Sequence, residues 1–374
     1  MTGCLRVGYH APPPGSRTGI ADYAETLRKS LAQRASVEDG AESADIHLYQ
    51  LGNNRLHEEI YARALAVPGV IVLHDAVLHH FFLGTLPHDA YIAEWVYNYG
   101  EWRRDLGEEL WLGRAKSSVD PRYFQFPMLR RVLERSRAAI VHNPGAAAIL
   151  RAANPALPIE IIPHLCEVTD PPDAFEIMRF RERLGVAAST RLFGMFGYLR
   201  EPKRVMPCIR AFQRLHAVNP DTALLLAGEV VSGDLARLLT SEVKEIPAIR
   251  RLGHLSERDF RIAGAAVDCC LNLRYPAAGE SSGIAVRLMS LGKPVIVTDN
   301  AENADFPLAA VLRNSAGVAE AEELFDHMLL VTQFPTIARE IGIEARRHIR
   351  EQHSLDSVTR NYWEVLCAAA SSSR

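Results

Sequence analysis

Four residues, Glu280-Ser281-Ser282-Gly283, stand between a strand-like run and a helix-like one. Val267 to Leu273 (VDCCLNL) reads as a buried strand, and Ile284, Val286, Leu288, Met289 and Leu291 repeat at helical spacing. Ser281 or Ser282 is the candidate N-cap, Gly292 the stop, and Lys293-Pro294 leads into a second strand at Val295–Val297. A helix that opens after a parallel strand gathers unbonded N–H groups at one point, which suits a phosphate. The same residues also satisfy an ordinary strand–helix corner with a serine cap, which needs no ligand.

HDAVLHH (74–80) has the residue types of a metal site but not the spacing. A zinc-binding helix needs histidines four apart, and the position four after His74 is Leu78. His74 and Asp75 instead close an apolar run, at the strand end where open α/β sheets place their ligands. A capping Asp beside a polar loop His is the alternative. Glycine turns follow strands at Gly15/Gly19 and at Gly194/Gly197, without GxGxxG or GK[ST] spacing. After the second turn come Lys203 and Arg204 at a helix start, either diphosphate contacts or a solvated surface pair. No GxSxG elbow, paired-carboxylate motif or catalytic-cysteine signature accompanies them, so an enzyme built this way works by positioning and electrostatics.

The elements that must hold these residues alternate. CLRVGYH (4–10), ADIHLYQ (44–50), GVIVLHD (69–75) and AAIVHNPG (138–145) carry strands in the first half. RLFGMFG, TALLLAGEV, AIRRLGHL, VDCCLNL and PVIVTD carry them in the second. Helical spans lie between, including Gly19 to Leu31 on Ile20, Tyr23, Leu27 and Leu31, and the chain closes in helices from about Glu320 to Ala370. This rhythm predicts parallel, doubly wound sheets, and 374 residues suit two domains. Residues 84–136 interrupt it with aromatic- and arginine-rich helices; 163–186 reads as a linker. Trp95, Tyr97, Tyr99 and Trp102 beside Arg103 and Arg104 suit a membrane surface or a lipid-linked acceptor, or equally a core helix pair with wet arginines.

A charged fraction of 23% and a net charge of −3 argue against bulk binding to nucleic acid. No apolar stretch is long enough to span a bilayer, and the first residues lack the apolar core of a signal peptide. The six cysteines are scattered without a CxxC pair, which predicts reduced thiols in a cytoplasmic protein.

Most of the chain resembles the retaining glycosyltransferases of family 4, a group 1 family of GT-B fold. FGMFGYLREPKRVMPCIRAFQRLHAVNPDTALLLAGE and RLGHLSERDFRIAGAAVDCCLNLRYPAAGESSGIAVRLMSLGKPVIVTD are similar to its donor-binding segments. PPPGSRTGIADYAETLRKSL and VIVLHDAVLHHFF are similar to its first glycine loop and His-bearing strand end. The resemblance implies that Glu280 binds donor-sugar hydroxyls, while Ser282, Gly283 and Ile284 offer amides to the nucleotide diphosphate. Lys203 would contact the same phosphates beside Gly197, Gly19 would let the first domain approach them, and His74 with Asp75 would lie near the sugar. Two positions depart from the pattern. Leu288 stands where a second glutamate is usual and Tyr198 replaces an arginine after the second glycine loop, leaving Arg287 and Tyr198 as the candidate nucleotide or ribose contacts.

The resulting expectation is two Rossmann-like domains facing a cleft: 1–165 for the acceptor, 166–352 for the nucleotide-sugar, and 353–374 crossing back to the first. The implied reaction moves a hexose from a nucleotide-sugar to a glycan, lipid-linked sugar or small molecule, with retention and without metal or other cofactor. A role in cell-surface polysaccharide synthesis, in the cytoplasm or peripherally at the inner membrane face, accompanies it. A nucleotide-sugar epimerase and a non-catalytic sugar-nucleotide binder are the alternatives.

Overall fold

Val7, Leu48, Val70 and Ile140, one from each of four strands, pack on one face of the first sheet with Leu27 and Leu31 of a helix. In the computed structural model, which describes residues 5–16, 18–244 and 246–372, these strands run parallel in one six-stranded sheet. They are β1 (Arg6–His10), β2 (Ser36–Asp39), β3 (Ile46–Leu51), β4 (Val70–Leu73), β5 (Ala138–Val141) and β6 (Ile159–Ile161), in the order β2-β1-β3-β4-β5-β6. A second parallel sheet holds β7 (Arg191–Phe196), β8 (Thr222–Ala227), β9 (Ile249–Leu252), β10 (Cys269–Asn272), β11 (Val295–Thr298) and β12 (Leu312–Asn314), ordered β12-β11-β10-β7-β8-β9. Central strands such as β4, β5, β8 and β11 are buried along their whole length, as parallel strands covered on both faces must be. Cys4, Arg17 and the end of the polar tail lie outside the described residues.

Each sheet reverses direction once. The chain leaves β1 first towards β2 and then builds outward on the other side from β3; in the second sheet the reversal falls between β7 and β10. Helices α1 (Gly19–Leu31) and α2 (Glu58–Ala66) follow β1 and β3. Thr18 caps α1 through Oγ1, which accepts the Ile20 N–H at 3.3 Å, and Tyr23, Leu27 and Leu31 turn inward, four residues apart.

The chain divides into two compact units: one of 1–165, Pro276–Ser281 and 352–374, the other of Cys166–Tyr275 and Ser282–Glu351. The last helix, Leu355–Ser371, belongs to the first. Its Val358, Tyr362 and Leu366 join the core of β1 and α1, and the Tyr362 hydroxyl lies 2.8 Å from that of Tyr23. Pro276–Ser281 also counts with the first unit, although the sequence places Glu280 in the donor domain. The chain segment read as a linker contains a helix, Ala174–Arg183, packed against the helix Glu257–Ala266.

The aromatic segment does not act as one surface. Trp95 is fully buried among Tyr91, Tyr99 and Phe126, and its indole N–H donates to Arg103 O at 2.8 Å. Trp102 is 78% exposed, with the Arg103 guanidinium 4.4 Å from its ring centroid. Trp95 is thus a core residue, while Trp102 stays on the surface beside Arg103. Among the described residues no helix is long and apolar enough to cross a membrane.

Candidate functional site

In the second unit the reversal point between β7 and β10 gathers two chain crossings. β7 ends at Phe196, and Gly197 turns the chain with φ of 78°, a conformation that glycine adopts without strain. A Cβ there would lie 2.4 Å from Ile284 Cδ1 and 3.0 Å from Lys203 Nζ. Lys203 follows on a single 3₁₀ turn and is 6% exposed; its ammonium donates to Phe196 O at 2.7 Å. The solvated-pair reading fails for both cations. Arg204, in the left-handed region at φ 58°, pairs with Glu320.

From β10 the chain reaches the helix Gly283–Ser290. Ser282 is its N-cap: Oγ accepts the Ala285 N–H at 3.3 Å and donates to Asn272 Oδ1 at 3.1 Å. The preceding amides, of Gly283 and Ile284, have no acceptor within the helix. Gly197, Lys203, Ser282, Gly283 and Ile284 thus converge at a strand end, where helix dipole and ammonium both favour an anion. Arg287 lies further along. Its guanidinium donates to Glu257 at 2.6 and 2.7 Å and sits 3.8 Å from the Phe260 ring centroid, while Tyr198 is 39% exposed after Gly197.

In the first unit, Glu280 is half-buried and accepts the Ala278 N–H at 2.6 Å. Asn143, which caps the helix after β5, donates from Nδ2 to Gly279 O and to Ser281 Oγ, each at 3.0 Å. Gly279, at φ 77°, passes so close to the loop after β4 that a Cβ would lie 2.5 Å from that of Ala76. Glu280 is thereby carried beside the segment that follows His74. Asp75 accepts the Asn53 N–H at 2.9 Å, and Asn53 Oδ1 accepts the Phe81 N–H at 2.7 Å, tying the loops after β3 and β4 together. Gly19 opens α1, and a Cβ there would meet nothing within 4 Å.

His74 is buried in a chain of hydrogen bonds whose ends fix its protons. Tyr9 donates to Ala24 O at 2.7 Å, so its oxygen accepts from Gln50 Nε2 at 3.2 Å, and Gln50 Oε1 accepts from His74 Nε2 at 2.8 Å. At the far end His142 Nδ1 donates to Ile162 O at 2.9 Å. His142 Nε2 then faces His74 Nδ1 at 3.2 Å, two lone pairs with no hydrogen between them when both rings are neutral. Burial is the main reason that His142 is pushed down to about 4, and it drives His74 well below its ordinary value together with His142, His164 and His57. Both rings are neutral at neutral pH. His74 is thus fixed by the Nε2 bond to Gln50, with Nδ1 closed in against the His142 ring.

Sequence reasoning missed Gln50, His142, Asn143 and Asn272. Each lies at or just beyond a strand's carboxyl end, and a polar residue closing an apolar run was the available signal. Among the described residues no group of three or more His, Cys, Asp or Glu is arranged to hold a metal ion.

Comparison of the whole chain with solved structures decides the architecture. HepE of Anabaena, crystallised with UDP and glucose, superposes with a TM-score of 0.66 over 97% of this chain and 100% of its own, at 15% identity. The sucrose-phosphate synthase of Thermosynechococcus elongatus gives 0.64 over 97% and 100%, at 13% identity. WaaG, a glycosyltransferase involved in lipopolysaccharide biosynthesis, gives 0.62 over 96% and 98%, at 14% identity. The fold is GT-B. Its structural neighbours are GT-B glycosyltransferases, with two Rossmann-like domains like the two parallel sheets here. No protein-family model matches the chain.

Proposed function

We propose that the protein is a retaining glycosyltransferase that moves a hexose from a uridine diphosphate sugar to a glycan or lipid-linked acceptor. The convergence of Gly197, Lys203 and the amides of Gly283 and Ile284 at one reversal point carries the reading. Uridine as the base is suggested by HepE, which was crystallised with UDP-glucose as well. In the reaction the bond between the anomeric carbon and the diphosphate oxygen breaks, and the acceptor hydroxyl oxygen bonds to that carbon on the same face while its proton passes to the departing diphosphate oxygen. Lys203 and the helix amides stabilise the charge that develops on the departing diphosphate. Glu280 orients the sugar hydroxyls, and the His142–His74–Gln50 chain keeps the β4 end in place. The residues assigned to the leaving group call for no metal. The buried free thiols Cys166, Cys208, Cys269 and Cys270 suit a reducing cytoplasm, and Trp102 with Arg103 suits a peripheral membrane contact during assembly of a cell-surface polysaccharide.

The test uses purified protein and UDP-glucose. UDP is expected to raise the melting temperature. Proton NMR of the transfer product is expected to show the donor's anomeric configuration. An inverted product would remove retention. Conversion of the donor to an epimer with no acceptor present would make the protein an epimerase, and tight donor binding without turnover against any acceptor would make it a binding protein.

A further inference from the structure

A cavity of about 510 Å³ opens at the carboxyl ends of β1 and β2, framed by α1 and α2. It lies outside the carboxyl ends of these strands, the side on which open parallel sheets hold ligands, and on the β2 side of β1, one strand away from the reversal between β1 and β3. Its volume falls in the ordinary range for small-molecule sites, roughly 300–1,000 Å³. None of the residues assigned to the donor lines it.

His10, the last residue of β1, lines the cavity and is only 9% exposed. Its ring stacks on Tyr49 with centroids 4.7 Å apart, and Nε2 lies 3.0 Å from His47 Nδ1. Among the described residues nothing bonds to the other nitrogen, Nδ1, and that atom is not sealed inside the protein. Burial, then His47 and Arg63, hold the His10 pKa down to about 4, so the ring is neutral and offers no charge to an anion. Whichever tautomer it adopts, Nδ1 can exchange one hydrogen bond with a hydroxyl, which both donates and accepts.

Charge narrows the occupant further. Among the described residues the lining carries the carboxylates of Glu25, Asp39, Glu42 and Glu59 against the guanidinium groups of Arg28 and Arg63. Arg28 already pairs with Glu25 at 3.1 Å and Asp39 at 3.7 Å, and Arg63 donates to Glu42 O at 2.9 Å. The carboxylates of Glu42 and Glu59 have no such partner among the described residues. The exposed Pro13 and Pro14 add apolar rings, against which the C–H face of a sugar can lie.

We infer that this cavity binds a neutral or amine-bearing sugar ring as acceptor, with hydroxyl or amine contacts to His10, Glu42 and Glu59, and rejects phosphorylated sugars. The word acceptor rests on the glycosyl-transfer reading; the binding does not. Saturation-transfer NMR and calorimetry with methyl glucoside, methyl glucosaminide and glucose 6-phosphate test it, alongside UDP. The first two probes are expected to bind and glucose 6-phosphate not to. The exposed double change Glu42→Gln with Glu59→Gln is expected to weaken the glucosaminide roughly tenfold, the loss of one charge-assisted contact, with UDP affinity unchanged. His10→Phe, which keeps a stacking ring, is expected to weaken both sugars. Equal or tighter binding of glucose 6-phosphate, no binding of any probe, or sugar affinity indifferent to these changes in folded protein would overturn the inference. Sugar binding as expected without any UDP binding would overturn the proposed function alone.

Discussion

Lys203 and Glu280 are separable by what each does when removed. Lys203 is buried with its ammonium on Phe196 O, at the Gly197 turn that the Ile284 side chain also meets. Lys203→Met keeps the aliphatic stem and is expected to cost UDP affinity about 1.5–3 kcal/mol, the range for a hydrogen bond to a charged group. Calorimetry showing the same affinity as the parent would remove Lys203 from the phosphate site. Glu280 accepts an amide of its own loop, a bond that Glu280→Gln can keep through its carbonyl oxygen. The charge on the proposed donor-orienting group is lost. Turnover is therefore expected to fall ~10²-fold with UDP affinity nearly unchanged. A variant with a lower melting temperature and parental turnover would mark Glu280 as a loop-bracing acid.

At the scale of elements, the Gly197 turn joins β7 to the donor helix. Gly197→Ala meets two obstacles, φ of 78° and the Ile284 side chain 2.4 Å from the new methyl group. The Ile284 methyl can swing aside, but relief of the backbone strain shifts the turn, and with it the Lys203 ammonium, a proposed phosphate contact 3.0 Å from the new methyl. The expected result is a folded protein, destabilised by about 1–3 kcal/mol through backbone strain, whose UDP affinity falls by more than its stability. Intact UDP affinity would show that the turn and the phosphate contact are independent. The last helix makes a different kind of test. Deleting residues 353–374 strips Val358, Tyr362 and Leu366 from the first unit's core. Amide exchange is expected to accelerate in β1, β3 and α1 while β7, β8 and β10 keep their protection. Equal acceleration in both sheets would show that the two units unfold together.

For the molecule as a whole, buried histidines set the acid limit. His57 and His142 are held at about 4, mainly by burial, below an ordinary value of 6.5. The unfolded chain therefore takes up their protons first. Their contribution is complete above pH 6.5 and is lost as pH falls towards 4. Each contributes a slope of about 1.4 kcal/mol per pH unit across that window. Asp305 works in the opposite sense. Burial raises it to about 6, so the folded state binds its proton first and gains stability as pH falls from 6 towards 3.8. His10 at about 4 and His79 at about 3 act in the same sense as His57 and His142, so the histidines outweigh the one aspartate and stability falls between pH 6 and 4.5. Urea midpoints that stay flat over this interval would show that these rings are charged in the native protein.

Much of this was legible in the sequence because it depends on local pattern. The apolar runs that became β4, β8 and β11 are buried on both faces, and such runs stand out without any tertiary context. The N-cap at Ser282 and the turn at Gly197 are equally local: a short polar side chain and a residue without Cβ meet needs set by the neighbouring backbone. The edge strands β2, β6 and β12 escaped notice because an edge has one partner and needs little apolar length; SVED in β2 is half polar and largely exposed. The helix in 163–186 was hidden among prolines and turn residues. Trp95 and Trp102 are seven residues apart, and nothing in their type tells which one the fold encloses. Residues distant in sequence made the decisive polar contacts. His74 meets Gln50 and His142 only because the neighbouring parallel strands β3, β4 and β5 bring their carboxyl ends to one side of the sheet, and Asn143 meets Gly279 and Ser281 because Pro276–Ser281 packs within the first unit. The sequence by itself determined the alternation of strands and helices, the Ser282 cap and the Gly197 turn, because all of these arise within a few residues. Tertiary structure alone decided that His74 is enclosed between Gln50 and His142 and that Pro276–Ser281 joins the first unit, because burial and hydrogen-bond partners belong to the packed chain.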